Sequence, residues 1–335
     1  MTTFELQPGE AEWHARLLGL IDTFTSRRVL VIGDVIADEF IYGEVARVSR
    51  EAPVLILKYD ATQMVAGGAG NAANNVAALG GHCRLVGVVG QDAEGARLRA
   101  SFARGVDRKH LVRVGGYRTP VKTRILAGGV HSAKQQIVRI DREPGWPLAD
   151  EVSRVFASKI GPLVEACDAV VLSDYGSGLI TPALATTVRR GIAARTRRRV
   201  PILLDSRYRL LEYRGLTTCT PNESEVEHAL GVHISDDPAA LEQAGRTLLR
   251  RTRMEAVLMT RGSRGMALFE PRKRTVHVPI AGSDEVADVT GAGDTVIATM
   301  ALALSSGASF VEATRLANYA GGLVVMKRGT ATVLA

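Results

Sequence analysis

A chain of 335 residues, 46% of them hydrophobic, can bury a large core, which excludes a disordered or fibrous protein. The formal net charge is +7, but the excess sits largely in Arg195-Thr-Arg-Arg-Arg199 and Arg250-Arg-Thr-Arg253, at the ends of predicted helices and without interleaved aromatics, so nucleic acid is not an expected partner. No apolar run is long enough to span a bilayer, the N-terminus lacks an export pattern, and three widely spaced cysteines (Cys83, Cys167, Cys219) suit a reducing compartment, so a cytoplasmic protein away from membranes is expected.

Up to about Arg28, Trp13, Leu17, Leu18, Ile21 and Phe24 recur at helical spacing and predict an amphipathic N-terminal extension. Arg28-Val-Leu-Val-Ile-Gly-Asp34 is an apolar run with a polar residue at its end, as in a strand buried on both faces. Similar runs recur at Ala169-Val-Val-Leu-Ser-Asp174, Pro201-Ile-Leu-Leu-Asp205 and Ala256-Val-Leu-Met-Thr260. Between them the pattern predicts helices near 71–80, 94–104, 150–165, 181–195 and 237–250. This alternation implies an α/β chain with a mostly parallel sheet, helices on both faces, and ligands beyond the C-terminal strand ends. Asp34, Asp174, Asp205 and Thr260 stand at those ends.

Residues 40–59 and 121–141 break the alternation and read as short strands of a small second sheet, a lid over the site. Such a sheet has edges and an apolar face to cover, so it invites a second copy of the chain.

Ala66-Gly-Gly-Ala-Gly-Asn71 combines small residues, which permit close approach of a ligand, with an amide that can donate to and accept from sugar hydroxyls. Asp288-Val-Thr-Gly-Ala-Gly-Asp294 places Gly291, Ala292 and Gly293 at the start of an apolar helix, where backbone N–H groups and the helix dipole favour an anion. A carboxylate at such a place, Asp294, makes sense as a base that takes a proton from a hydroxyl while the loop holds a phosphoryl group. A plain glycine-rich helix cap with a solvated Asp is the alternative reading of the same residues.

Taken together, from about Val29 to Val333, these segments resemble the ribokinase-like (PfkB-type) carbohydrate kinases, with the Gly67–Asn71 and Asp288–Asp294 stretches as the two signatures. Within that family, Tyr42-Gly-Glu-Val-Ala-Arg-Val-Ser-Arg-Glu-Ala-Pro53, Lys122-Thr-Arg124, Gln135-Gln-Ile-Val-Arg-Ile-Asp141, Ser173-Asp-Tyr-Gly176 and Gly329-Thr-Ala-Thr-Val333 resemble the heptose 7-phosphate kinases of lipopolysaccharide precursor synthesis. The resemblance implies one kinase domain over residues 1–335, with 1–28 as a helical extension. It implies ATP as phosphoryl donor, Mg²⁺, and phosphorylation of the anomeric hydroxyl of a heptose 7-phosphate.

Residue by residue, it makes Asp294 the base and Gly291, Ala292 and Gly293 the phosphoryl-binding amides. Asn222 and Glu225 organise Mg²⁺ and its waters near the nucleotide, Thr260, Gly262 and Gly265 line its phosphates, and Asn318 borders the adenine. Asp288 and Thr290 match positions that hold a monovalent cation such as K⁺. Asp34, Asp38, Gly67, Gly68 and Asn71 face the sugar, and Arg47, Lys122, Arg124 and Arg139 are candidate cations for its phosphate. A helix cap is a second role open to Asn222.

Ser177 departs from the resemblance, standing where heptose kinases usually carry Lys. The chain holds no His-x-Gly-His segment, so a kinase without nucleotidyltransferase activity is expected. A kinase of another sugar or a nucleoside, and a non-catalytic sugar- or nucleotide-binding regulator, are the alternatives.

Overall fold

The apolar runs form the strands that their composition requires, and alternate residues of each strand enter opposite cores. Val29, Val31, Val171, Leu203 and Leu258 pack on one face of the main sheet, and Leu30, Ile32, Val170, Leu172, Leu204 and Met259 on the other. A sheet of this kind must carry helices on both sides. The computed structural model describes residues 8–128, 134–144, 150–164, 166–195, 199–282, 289–327 and 331–335.

In chain order the elements are α1 (Pro8–Asp22), β1 (Arg28–Gly33), β2 (Val35–Val48), β3 (Leu55–Gly68), α2 (Ala69–Ala78), β4 (His82–Gly90), α3 (Ala93–Ala100), β5 (Val106–Asp107), β6 (Leu111–Val114), β7 (Val121–Gly128) and β8 (Gln135–Arg142). They continue with α4 (Asp150–Val164), β9 (Ala169–Asp174), α5 (Pro182–Arg195), β10 (Ile202–Ser206), β11 (Thr218–Cys219), α6 (Glu223–Leu230), α7 (Pro238–Thr252), β12 (Ala256–Thr260), β13 (Met266–Phe269), β14 (Val276–Val278), α8 (Ala292–Ser305) and α9 (Phe310–Val325).

The main sheet runs β14-β13-β12-β11-β10-β9-β1-β4-β5, with β6 beside β4. Its neighbours from β12 to β4 pair in parallel, while β13 and β14 add an antiparallel edge. The chain order reverses at β1, whose C-terminal end, with that of β9, is therefore the place to expect a ligand.

The second sheet has the order β3-β2-β7-β8. Its long strands reach further inward than residues 40–59 predict: β2 begins at Val35 and β3 runs to Gly68, with Val35 paired to Gly68 and Asp38 to Val65. The sequence shows only the polar outer part of this hairpin as alternation, because its inner part is buried on both faces and loses the period. Asp38 and Gly67 are thus lid-strand residues, and the lid is rooted in the site. Helix α3 is also shorter than expected, ending at Ala100.

Arg250 and Arg251 lie in the last turn of α7, where cations complement the dipole. All three cysteines are buried and unpaired. No helix among the described residues is long and apolar enough to cross a membrane.

Candidate active site

Helix α8 is buried from Asp294 to Ala303, while Ala292 and Gly293 ahead of that run are not, so the helix meets the cleft at its start. Gly291 precedes it in the left-handed region (φ 80°), a conformation that turns the chain sharply onto the helix axis. A Cβ on Gly293 would meet no atom within 4 Å, so this residue opens onto empty space. Asp294 follows in the first turn and is buried.

Two helices hold Asp294 in place. Asn71 and Asn75 are one turn apart on α2 and face α8. The Asn75 amide donates to Asn71 Oδ1 (3.1 Å), and the Thr295 hydroxyl donates to Asn75 Oδ1 (2.9 Å). This leaves the Asn71 amide nitrogen to donate to Asp294 Oδ2 at 2.8 Å and to the Gly291 carbonyl at 3.4 Å. The glycine stretch of the first half and the Gly-Ala-Gly-Asp stretch of the second therefore converge on one cleft. Asn71, read as facing the sugar, donates its amide to Asp294 and accepts from Asn75.

The other carboxylate oxygen of Asp294 accepts from the Tyr175 hydroxyl at 3.2 Å. Burial pushes the Asp294 carboxyl up to about 7, against the Asn71 and Tyr175 hydrogen bonds that favour its anion. Such a group is poised to accept a proton near neutral pH.

One cavity, of about 460 Å³, opens on the second-half side of Asp294. Its volume is within the usual range of about 300–1,000 Å³ for small-molecule sites. Gly291, Ala292, Gly293 and Asp294 line it together with Asn222, Glu225, Thr260, Gly262, Gly265 and Asn318, so every residue read as nucleotide-facing meets here. Asn222 also caps α6: its side chain accepts from Glu225 N, and the Glu225 carboxylate accepts from Asn222 N. Asn222 is thus a helix cap that also lines the cavity. Asn318 donates to the Pro279 carbonyl at 2.8 Å, which orients its amide. Gly265 has a second reason to be glycine, since a Cβ there would lie 2.1 Å from the Val278 carbonyl.

Asp205, at the end of β10, also lines this cavity. Burial, then the charges of Asp294 and Glu225, hold its carboxyl well above the usual range, and burial likewise raises Glu225. The described residues contain no cluster of three or more metal-ligating side chains. A Mg²⁺ ion still fits, because such ions are held by one or two carboxylates and complete their shell with phosphates and water. Glu225 and Asp205 supply oxygen donors in a cavity whose crowded carboxylates a cation would relieve. Of the pair read as a monovalent-cation site, Thr290 lies just before α8, while Asp288 lies outside the described residues.

A second cavity opens on the lid side and is lined by Asp34, Lys122, Arg139, Asp141, Arg142 and Arg207 among others. Asp34 follows β1 and accepts from Tyr175 N (2.8 Å), Ser177 N (3.2 Å) and the Ser177 hydroxyl. Burial raises its carboxyl to about 6 despite these bonds. Ser177, the departure from the heptose-kinase pattern, is therefore a carboxylate-holding hydroxyl. Gly67 leaves the space that Asp38 occupies, since a Cβ there would lie 2.3 Å from Asp38 Oδ2, and Gly68 (φ 55°) turns β3 into α2.

The candidate phosphate ligands separate. Lys122 and Arg139 face the lid-side cavity. Arg124 does not line it: it is paired with Asp38 at 2.5 Å and lies over the Phe40 ring. Arg47 sits on the outer, exposed part of β2 and donates to the neighbouring Val48 carbonyl. Arg142 and Arg207 were missed, and so was Tyr175, which lines both cavities. A signal existed for the last of these: Tyr175 directly follows a buried strand that ends in Asp174.

The chain matches the model of the pfkB family carbohydrate kinases over residues 26–335. It is 40% identical over 316 residues to the bifunctional protein HldE of Trichlorobacter lovleyi, an alignment that covers 94% of this chain and 62% of that protein. To the bifunctional protein HldE of Gluconacetobacter diazotrophicus it is 42% identical, with 92% and 62% covered. The chain thus spans less than two thirds of the length of these relatives. Among solved structures, the ribokinase of Arabidopsis thaliana complexed with ribose and ATP superposes with a TM-score of 0.69 at 23% identity, covering 90% of this chain and 94% of that one. Phosphofructokinase-2 of Escherichia coli in complex with potassium superposes with a TM-score of 0.71 at 17% identity, covering 91% and 94%. The fold is therefore ribokinase-like, as the motif resemblance implies, and the chain belongs to the pfkB family of carbohydrate kinases.

Proposed function

We propose that this chain transfers the γ-phosphoryl group of ATP to the anomeric hydroxyl of D-glycero-D-manno-heptose 7-phosphate, giving the 1,7-bisphosphate used in lipopolysaccharide precursor synthesis. One observation carries the reading: two cavities share Tyr175, whose hydroxyl reaches the buried Asp294 carboxylate, and one of them is lined by that carboxylate with the glycines of the α8 start, while the other carries Lys122 and Arg139. The first suits a nucleotide, whose phosphates bind to N–H groups at the start of α8. The second suits an acceptor that already bears a phosphate, which Lys122 and Arg139 would hold. Motif resemblance narrows that acceptor to a heptose 7-phosphate.

In this reading Asp34 and Asp38 orient the sugar hydroxyls, and Asp294 removes the proton of the attacking hydroxyl. Gly291, Ala292 and Gly293 receive the phosphoryl oxygens. Asn222 and Glu225 face the nucleotide phosphates with Thr260, Gly262 and Gly265, and Asn318 borders the base. Bound Mg²⁺, held through Glu225 and water, would neutralise phosphate charge; Thr290, with Asp288, would hold K⁺. Positioning and electrostatics account for most of the rate in such a transfer. A non-catalytic binder gains nothing from a carboxylate whose burial disfavours its anion, which argues against the regulator reading.

Tests begin with ADP release over a panel of free and phosphorylated sugars. Heptose 7-phosphate should give turnover and free heptose little. Turnover with another sugar but not with heptose 7-phosphate would end the narrower reading, and silence across the panel would end the kinase reading.

We place the reaction in the cytoplasm, where ATP is supplied, and expect a homodimer through the lid. Strand β8 is exposed along its length, and Ile137, Val138 and Ile140 present apolar surface there. A monomeric mass by light scattering would contradict this.

A further inference from the structure

Two side chains line both cavities, Tyr175 and Arg207. The first is accounted for by its hydrogen bond to Asp294. Arg207 follows β10, and its backbone N–H donates to the Asp174 carbonyl at 3.0 Å, which anchors it at the seam between the two cavities. Its guanidinium lies 5.9 Å from the Tyr208 ring and has no carboxylate partner among the described residues. The other arginines nearby are committed: Arg139 to Asp141, Arg142 to Glu39 and Glu94, Arg124 to Asp38. Lys122 has no carboxylate partner either, but it lines the lid-side cavity alone.

The surroundings of Arg207 make a cation there useful. Asp294, Asp205 and Glu225 line the nucleotide cavity and Asp34 the other, so a phosphoryl group moving between the cavities passes a row of acidic side chains. The charge of Arg207 already acts on groups in both directions, favouring the Glu225 anion and disfavouring the Lys122 cation. A planar guanidinium matches the oxygens of a phosphoryl group, and it loses little on binding because no internal ion pair must break.

We propose that Arg207 is a catalytic residue whose guanidinium binds the phosphoryl group in flight. This rests on the kinase reading above and adds the cation that the reading lacks at the point of transfer. In the step, the acceptor oxygen bonds to the γ-phosphorus while its proton passes to Asp294. The bond from that phosphorus to the β–γ bridging oxygen breaks, and ADP leaves with the electron pair. Charge spreads over the three equatorial oxygens, and a cation that meets them only there lowers the barrier without tightening ground-state binding.

The experiment compares wild type, R207A and R207K on the sugar phosphate that gives turnover, with ATP affinity and thermal midpoint measured in parallel. The expected result for R207A is a fall in kcat of about 100-fold or more, with ATP affinity and acceptor KM within a few-fold and the midpoint unchanged. R207K should recover part of the loss, and millimolar guanidinium should partly restore R207A but not D294N. An R207A enzyme with wild-type kcat, or one whose loss lies wholly in acceptor KM, would overturn the proposal and leave the kinase reading intact. A wild-type chain that turns over no sugar phosphate would remove both.

Discussion

The two cavities beside Asp294 are built on opposite principles. The nucleotide side uses glycines, backbone and small residues at the ends of rigid elements, whereas the lid side uses charged side chains projecting from long strands. Backbone donors at a helix start serve a phosphate whatever it is attached to. Side-chain cations in an exposed sheet can be exchanged one at a time, so under the proposed function acceptor choice is expected to reside in the lid. Tyr175 and Arg207 belong to both, and the seam they form next to Asp294 is where the chemistry is expected.

The sharpest way to break this comparison is at the seam. Asp294→Asn should lower kcat about a thousandfold or more while ATP binding stays within a few-fold. Retained turnover would show that the carboxylate is not the base. Next in size, Lys122→Ala combined with Arg139→Ala should raise KM for a phosphorylated acceptor by about 10- to 100-fold and leave KM for ATP alone. An equal effect on both substrates would erase the division between the cavities.

The pH dependence sharpens the same point. With the Asp294 carboxyl near 7, kcat/KM should fall about tenfold per pH unit below that value and level off above it. Stability runs the other way. The folded chain holds this proton more tightly than the unfolded chain does, so between about pH 4 and pH 7 stability from this group declines as pH rises. The full cost is present above about 7, and D294N should therefore raise the thermal midpoint at pH 8 by a few degrees. A midpoint unchanged or lower would show that the wild-type anion is compensated.

The smallest effect is expected on the nucleotide side. Gly265→Ala would place a Cβ 2.1 Å from a backbone carbonyl at φ 74°. It should cost about 1–3 kcal/mol of stability, seen as a lower midpoint, and weaken ATP binding without altering acceptor KM.

Some of the site was visible in single residues and some was not. Asp294 could be singled out because two glycines and an alanine precede it at the start of an apolar helix, and its burial separates it from the solvated Asp of a plain cap. Thr260, Gly262 and Gly265 could be placed because a buried strand ends there. Asn71 could be read as a sugar-facing amide, but its hydrogen bond to Asp294 could not, since that depends on what α8 brings beside it. Arg124 and Arg139 looked alike as lid-strand arginines, yet the first is paired with Asp38 away from the cavity and the second with Asp141 on its wall. Arg142 and Arg207 carry no local mark, because an arginine on a strand or loop is usually only solvated.

By itself the amino-acid sequence determined the parallel sheet and the place of the Gly-Ala-Gly-Asp turn at the start of an apolar helix. These follow from apolar periodicity and from glycine's freedom, which act over a few residues at a time. The tertiary structure alone decided which side chain holds that carboxylate, which cations remain unpaired and which two residues stand between the cavities. Those outcomes depend on charges and hydrogen-bonding groups that are distant along the chain and meet only when the helices, the main sheet and the lid have packed.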